Sequence, residues 1–149
     1  MDGTARAAPA MTAAEFDALI HATLPIVVFL GLATVSLDNG VAVVRLPYSA
    51  KLLRPGGTHG GPAMMTLIDV AMYGAILSLR GDQGGALTTH LSTFFLQRPP
   101  AADLFCRCRI IGIDAARAVG AATVYAEGCE GNALCTATCT YALPSLASK

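Results

Sequence analysis

The residue of this sequence best suited to do chemistry is a carboxylate inside an apolar segment. Asp69 lies in AMMTLIDVAMYGAILSL, residues 63–79, which is otherwise interrupted by polar residues at Thr66 and Ser78. An ionisable group in such a segment is either desolvated or faces a cleft, and both settings are common at catalytic sites. Asp69 is therefore a candidate nucleophile or general base. The alternative is a structural role, in which it caps backbone groups or pairs with an arginine.

A glycine-rich loop precedes this segment and offers backbone donors. The loop RPGGTHGGP, residues 54–62, carries Gly57, Gly60 and Gly61 before the expected helix start. Glycines let a ligand approach the backbone, and the free N–H groups and dipole of a helix's first turn favour negative charge. A carbonyl oxygen that becomes an oxyanion could bind there while Asp69, two turns along, attacks it or activates water. This combination is typical of acyl transfer, although such loops also bind phosphates or no ligand.

Hydroxyl groups on the same helix are candidate partners of the carboxylate. Thr66 and Tyr73 lie about one turn before and after Asp69, so all three share a helix face. We expect their hydroxyls to be able to bond the carboxylate, with core filling as the alternative for Tyr73.

The histidines and arginines offer further candidates but no catalytic triad. His59 either contacts the substrate or is an exposed loop histidine, and His90 in a predicted strand favours a structural or interface role. Arg54, Arg98 and Arg117 carry the planar cation that suits phosphate, or are solvated surface charges. No serine or cysteine stands at a recognisable spacing from a histidine, so no triad is predicted.

Two elements are predicted before the loop. Residues 12–23 form an amphipathic helix with Thr12 as N-cap and Glu15 completing a capping box. Residues 32–47 form a β-hairpin, because two apolar β-branched runs surround Asn39-Gly40, the strongest short hairpin signal.

The remainder predicts an α+β fold. Pro62 suits the first turn of a helix over about residues 62–79, and a helix without a polar face must be surrounded by protein. Four β-rich segments follow, and their short connections predict antiparallel neighbours in a meander; they span residues 86–97, 103–113, 117–127 and 132–143. We expect a curved antiparallel sheet wrapped around the helix, with residues 1–11 as a disordered lead and residues 12–149 as one domain.

Composition narrows the function classes. The 149 residues carry ten basic and ten acidic side chains, which argues against nucleic-acid binding. Only 13% of residues are charged, against roughly 25% in typical domains, so a subunit interface is expected. Asp69 lies near the middle of the long apolar segment, which argues against a membrane span there. The N-terminus lacks an apolar run of signal-peptide length, which favours a cytoplasmic location. The cysteines lack a CxxC pair or a neighbouring histidine, so no metal site is predicted.

The phrases RPGGTHGGPAMMTLIDVAMYGAI and ALTTHLSTFFLQRPP together resemble the hotdog-fold thioesterases of the phenylacetate-degradation (PaaI-like) type. That family places an HGG-type turn before a central helix carrying an Asp or Glu, then a strand ending in a phrase like NFLRP. The resemblance covers about residues 24–143. It implies a homodimer, often paired into a tetramer, with active sites at the subunit interface and coenzyme A (CoA) thioesters as substrates.

The resemblance also assigns residues. Asp69 matches the catalytic carboxylate, Gly61 the turn glycine whose N–H polarises the thioester carbonyl, and Thr88 the hydroxyl residue that positions water or substrate from the other subunit. The remaining candidates are assigned to substrate binding: His59, Gly60, Arg54, Thr89 as the alternative to Thr88, and Tyr73. The sequence departs from the family at His59, which precedes Asp69 by ten residues instead of nine. Alignment from the acid therefore places Gly60 at the histidine position and Arg54 at a common asparagine.

The resemblance implies hydrolysis of an acyl-CoA thioester, with CoA present only as part of the substrate and no other cofactor. The alternative from another class is a non-hydrolytic acyl-CoA-binding or regulatory module in which Asp69 is a polar anchor. A hydratase or dehydratase is a further alternative, but its usual histidine and acid motif is not found.

Overall fold

The apolar segment around Asp69 forms the longest helix of the protein. The computed structural model describes residues 6–82 and 84–145, so the first five residues of the predicted lead lie outside it. The helix, α3, spans Gly61–Arg80, with Gly60 as N-cap and Pro62 in its first turn. It ends at Gly81, whose φ of 67° is available to glycine without strain. The predicted central helix is therefore confirmed.

In the described part of the chain, eight strands accompany this helix. They are β1 (Ala33–Asp38), β2 (Val41–Leu46), β3 (Leu53–Arg54), β4 (Thr58–His59), β5 (Leu87–Phe95), β6 (Leu104–Ile113), β7 (Arg117–Ala126) and β8 (Cys135–Ala142). Six of them form one antiparallel sheet in the order β1-β2-β6-β7-β8-β5, while β3 and β4 form a separate ribbon. The α+β fold with a curved antiparallel sheet around a central helix is as predicted.

The predicted meander of four strands is wrong in one respect. Strands β6, β7 and β8 are consecutive neighbours, but β5 pairs with β8 at the sheet edge and β6 pairs with β2. The connection through Pro99 and Pro100 carries the chain from β5 at the sheet edge, past β8 and β7, to β6 in the interior of the sheet, so consecutive strands are not neighbours here. Among residues 6–82 and 84–145, strand β5 therefore has a partner on one edge only, and its other edge is open.

The N-terminal elements follow their local signals. Helix α1 spans Ala13–Thr23, and the Thr12 and Glu15 side chains each accept a hydrogen bond from the other's backbone N–H, as the capping box requires. The β1–β2 hairpin turns at Asn39 and Gly40, both with positive φ. A second short helix, α2 (Pro25–Leu30), was not predicted; Pro25 stands in its first turn, where proline is favoured.

The core lies between α3 and the inner face of the sheet. Helix α3 contacts β2, β6 and β7 most closely, and Gly74 lets it approach Phe16 of α1. By length and composition α3 could cross a membrane, but 61% of its most apolar window is buried inside the protein, so it is the core helix of this fold. Residues 6–11 form no helix or strand; the Ala10 N–H donates to the Ser78 carbonyl at 2.8 Å, and Met11 is buried.

Candidate functional site

Asp69 is half-buried and is held by two hydroxyl groups from the sheet. The Thr88 hydroxyl and the Tyr141 hydroxyl each lie 2.7 Å from its Oδ1, and both donate to that oxygen. The Tyr141 oxygen also lies 3.1 Å from the Asp69 carbonyl. Among the described residues Asp69 Oδ2 has no hydrogen-bond donor. One carboxylate oxygen is therefore restrained and the other is free.

The sheet register brings these two hydroxyls together. Thr88 of β5 and Tyr141 of β8 are direct cross-strand partners, so both side chains project from one face of the sheet toward α3. A bulge follows between Thr88 and His90. It shifts the strand's alternation by one residue, so that Thr88 and Leu91 both face inward. The Thr89 hydroxyl instead donates to the Thr140 carbonyl at 3.1 Å, so Thr88 and not Thr89 contacts Asp69.

The hydroxyl partners differ from those expected on the helix. Thr66 donates to the Pro62 carbonyl at 2.9 Å, because a helical threonine readily bonds the carbonyl one turn back. Tyr73 makes no hydrogen bond to Asp69 within the described ranges; its ring stacks on Tyr141 with centroids 6.4 Å apart. The residue that takes the expected role, Tyr141, was missed. Strand alternation points it inward, but only the register places it beside Asp69.

Burial keeps the Tyr141 hydroxyl protonated. Desolvation is the largest cause that raises the pKa of Tyr141 above its ordinary value, and the neighbouring Asp69 carboxylate raises it further. The pKa of Tyr73 is raised as well, by burial and then by Asp82. Both phenols are therefore hydrogen-bond donors across the physiological pH range.

Asp69 lies at the wall of a cavity of about 470 Å³. The lining is mostly apolar and combines α1, α3 and the start of β5; it includes Leu19, Leu24, Val70, Tyr73, Ala86 and Leu87. A cavity of this size fits a small acyl group beside the carboxylate.

The start of α3 lies at a second cavity, of about 490 Å³. Gly60 is the N-cap and offers no side chain to the first turn. The Gly61 N–H finds no acceptor among residues 6–82 and 84–145, so it is available to a ligand at the positive end of the helix dipole. The Phe95 ring covers this point: a Cβ on Gly61 would lie 3.3 Å from its Cζ.

Predicted binding residues of the loop line this second cavity. Arg54 is exposed there, and Arg98 donates to the Gly56 carbonyl. His59 is only 1% exposed, so it is not an exposed loop histidine: the loop forms the β3–β4 ribbon, and Tyr48 packs edge-on against the imidazole. His59 Nε2 lies 3.0 Å from the Ala102 carbonyl, and no partner of Nδ1 is found in the described part of the chain.

The structure does not bring Gly61 and Asp69 together within one chain. Eight residues of α-helix separate them, or about 12 Å along the axis. A carbonyl bound at the Gly61 N–H is therefore out of reach of Asp69 of the same chain. In the described residues no group of three or more His, Cys, Asp or Glu side chains could hold a metal ion.

Comparisons with known proteins identify the family of this chain. The sequence profile of the thioesterase superfamily matches residues 56–133, which is more than half of the chain. Among solved structures, a candidate thioesterase from Silicibacter sp. TM1040 is 29% identical over 91% of this chain and 94% of its own, with a TM-score of 0.83. No curated protein matches this chain.

Two further structures share the fold at lower identity. A variant of the phenylacetic acid degradation protein PaaI from Thermus thermophilus is 24% identical over 80% of this chain and 99% of its own, with a TM-score of 0.71. The PaaI protein from the phenylacetic acid degradation operon of E. coli is 18% identical over 89% of this chain and 94% of its own, with a TM-score of 0.77. With its hotdog fold and its superfamily profile match, the chain belongs to the thioesterase superfamily.

Proposed function

We propose that the protein hydrolyses an acyl-CoA thioester with Asp69 as its catalytic carboxylate. The observation that carries this proposal is the setting of that carboxylate: Oδ1 accepts two hydroxyl hydrogen bonds, no described residue donates to Oδ2, and a mostly apolar cavity adjoins it.

A second copy of the chain supplies the missing donor. Strand β5 has an open edge, and its end exposes Phe94, Phe95 and Leu96. Such an edge is suited to pair with another strand. We therefore include a homodimer through β5 in the proposal.

Because of the direction of β5, this dimer would bring the Asp69 and Gly61 parts of the site together. Asp69 lies beside the start of β5 at Thr88, while Gly61 lies beside its end at Phe95. When two such edges pair antiparallel about a twofold axis, the start of each strand meets the end of the other. The Asp69 carboxylate of one copy then faces the Gly61 N–H of the second copy.

The reaction follows from this arrangement. The Gly61 N–H of the second copy polarises the thioester carbonyl and stabilises the oxyanion. Asp69 takes a proton from a water that attacks the carbonyl carbon, or attacks that carbon itself to form an anhydride that water then hydrolyses. In either route the C–S bond breaks, its electron pair leaves on sulfur, and protonation gives free CoA and a carboxylic acid.

The substrate-binding residues complete the proposal. Arg54 meets CoA phosphates, whereas Tyr73 lines the acyl cavity. Gly60 and His59 shape the turn before Gly61. A dimer of dimers, a cytoplasmic location and the absence of any cofactor beyond CoA are parts of the same proposal.

Thiol release from short, medium and aromatic acyl-CoAs tests the function, with the unmodified protein compared with Asp69→Asn. Loss of the carboxylate should lower kcat by about 10²- to 10⁴-fold, the usual contribution of a general base or nucleophile. The control is binding of a non-hydrolysable thioether analogue of CoA, which Asp69→Asn should retain.

The competing function is a non-hydrolytic acyl-CoA-binding module. It is favoured if the unmodified protein binds the thioether and releases no thiol from any substrate of the panel. Equal thiol release by both proteins would remove Asp69 from the chemistry.

A further inference from the structure

The hydroxyl of Tyr141 is a polar group in a largely buried setting that packing does not explain. The Tyr141 side chain is 4% exposed, and its ring stacks on Tyr73, which in turn meets Phe16 edge-on. These ring contacts would be equally satisfied by a phenylalanine. The hydroxyl donates a hydrogen bond to Asp69 Oδ1, so we look for its role in its effect on that carboxylate.

An aspartate carboxylate needs an outside restraint to hold its orientation. Its terminal torsion is broad, with no sharply preferred angle. A single donor, such as Thr88, fixes one oxygen but leaves the group free to swing about that contact. A second donor from another strand, approaching the same oxygen, removes this freedom. The Thr88 and Tyr141 hydroxyls lie at the same 2.7 Å from Oδ1, and each is anchored in a paired strand.

We propose that Tyr141 is a positioning residue: with Thr88 it fixes Asp69 Oδ1, so that Oδ2 is the oxygen that attacks the substrate or takes the proton from water. This inference rests on the proposed hydrolysis. It adds which carboxylate oxygen reacts and which side chains orient that oxygen. Tyr141 itself does not touch the reacting atoms.

The surroundings of Tyr141 suit a permanent donor. Its hydroxyl has one proton, and the charged Oδ1 at 2.7 Å is a stronger acceptor than the Asp69 carbonyl at 3.1 Å. Cys139, two residues earlier on β8, is a neighbour whose thiol is itself buried, and burial raises the pKa of Cys139 to about 12. A neutral thiol does not compete with the carboxylate for this proton.

The test is thiol release by Tyr141→Phe, which removes the hydroxyl and keeps the ring. We expect kcat to fall about 10- to 100-fold, the usual effect of losing a hydrogen bond to a charged group, with KM within about threefold. The matched control is Tyr125→Phe, the same change at another buried tyrosine, on the β7 strand and stacked on Phe105. It should leave kcat unchanged.

Three outcomes overturn the inference. In a protein whose hydrolysis depends on Asp69, an unchanged kcat in Tyr141→Phe means that the hydroxyl positions nothing. A fall in thioether affinity that accounts for the whole loss means that Tyr141 shapes the pocket. If the unmodified protein releases no thiol, the proposed function fails, and a crystal structure of Tyr141→Phe still decides the restraint: an Asp69 side chain unmoved and equally ordered overturns it.

Discussion

Two inactive variants of this protein should regain activity when they are mixed. The variants are Asp69→Asn, which removes the carboxylate, and Gly61→Pro, which removes the N–H at the start of α3. The two groups lie about 12 Å apart along the helix, too far for both to reach one carbonyl in a single chain. If each site combines Asp69 of one copy with Gly61 of the other, a mixed dimer contains one intact site and one doubly altered site.

The expected yield follows from random exchange of subunits. Equal amounts of the two variants give about half mixed dimers, each with one intact site of two, so about one quarter of the unmodified activity returns. Each variant alone should fall by about a hundredfold or more, since one oxyanion donor contributes 10²- to 10³-fold. A recovery of one quarter of the unmodified activity is therefore far above the residual activity of either variant alone.

Gly61→Pro is compatible with the local fold. Proline is favoured in the first turn of a helix, and Gly60 already has the extended φ of −76° and ψ of 152° that a residue before proline adopts. A Cβ at this position would lie 3.3 Å from the Phe95 ring, a contact that a small shift of the ring relieves.

The assay mixes the variants under conditions of subunit exchange and follows thiol release over time. Native mass spectrometry of the same mixture measures the mixed dimer, and each variant incubated with itself is the control. Mixed dimers without recovered activity would refute the shared site, because they would show that Gly61 and Asp69 act within one chain or that one of them does not act.

Two further predictions concern stability. Gly74→Ala should lower the free energy of unfolding by about 1–3 kcal/mol in thermal or urea unfolding, because its Cβ would lie 2.8 Å from the Phe16 ring. Gly131→Ala, with no neighbour within 4 Å, is the control, and equal effects of the two would contradict this account of the packing. The pKa of Asp103 is lowered from its ordinary value of 3.8, mainly because its carboxylate accepts a hydrogen bond from the Tyr48 N–H. The ionised carboxylate therefore stabilises the folded state above pH 3.8, and this stabilisation is lost as the pH falls through the folded-state pKa. Asp103→Asn should therefore lower Tm near neutral pH, and the difference should vanish in acid; a difference that persists there means that charge is not the cause.

The sequence by itself determined the elements whose signals are local. The capping box at Thr12, the Asn39-Gly40 turn and the apolar run of α3 each lie within a few residues of the structure they specify. Asp69 stood out for the same reason, because a charge in an apolar helix is visible without any tertiary contact.

Local signals failed where a second segment decided the outcome. Helix α2, which begins at Pro25, was not predicted, and the loop in which His59 could be an exposed residue forms a ribbon over residues 53–59 that buries it. The connection after β5 looked like a turn between neighbours, but the place of β5 depends on its pairing with β8. Pairing partners compete across the whole sheet, so short-range chemistry cannot choose among them.

In the candidate site, too, local sequence signals identified some residues, and only the tertiary structure identified the others. The sequence singled out Asp69, Gly61 and Thr88, but it could not separate Thr88 from Thr89, since a bulge decides which of them faces the helix. Tyr141 lies 72 residues from Asp69, and only the register of β8 against β5 places its hydroxyl there. The tertiary structure also decided that Gly61 and Asp69 face different cavities, because helix rise fixes their separation whatever the intervening residues are.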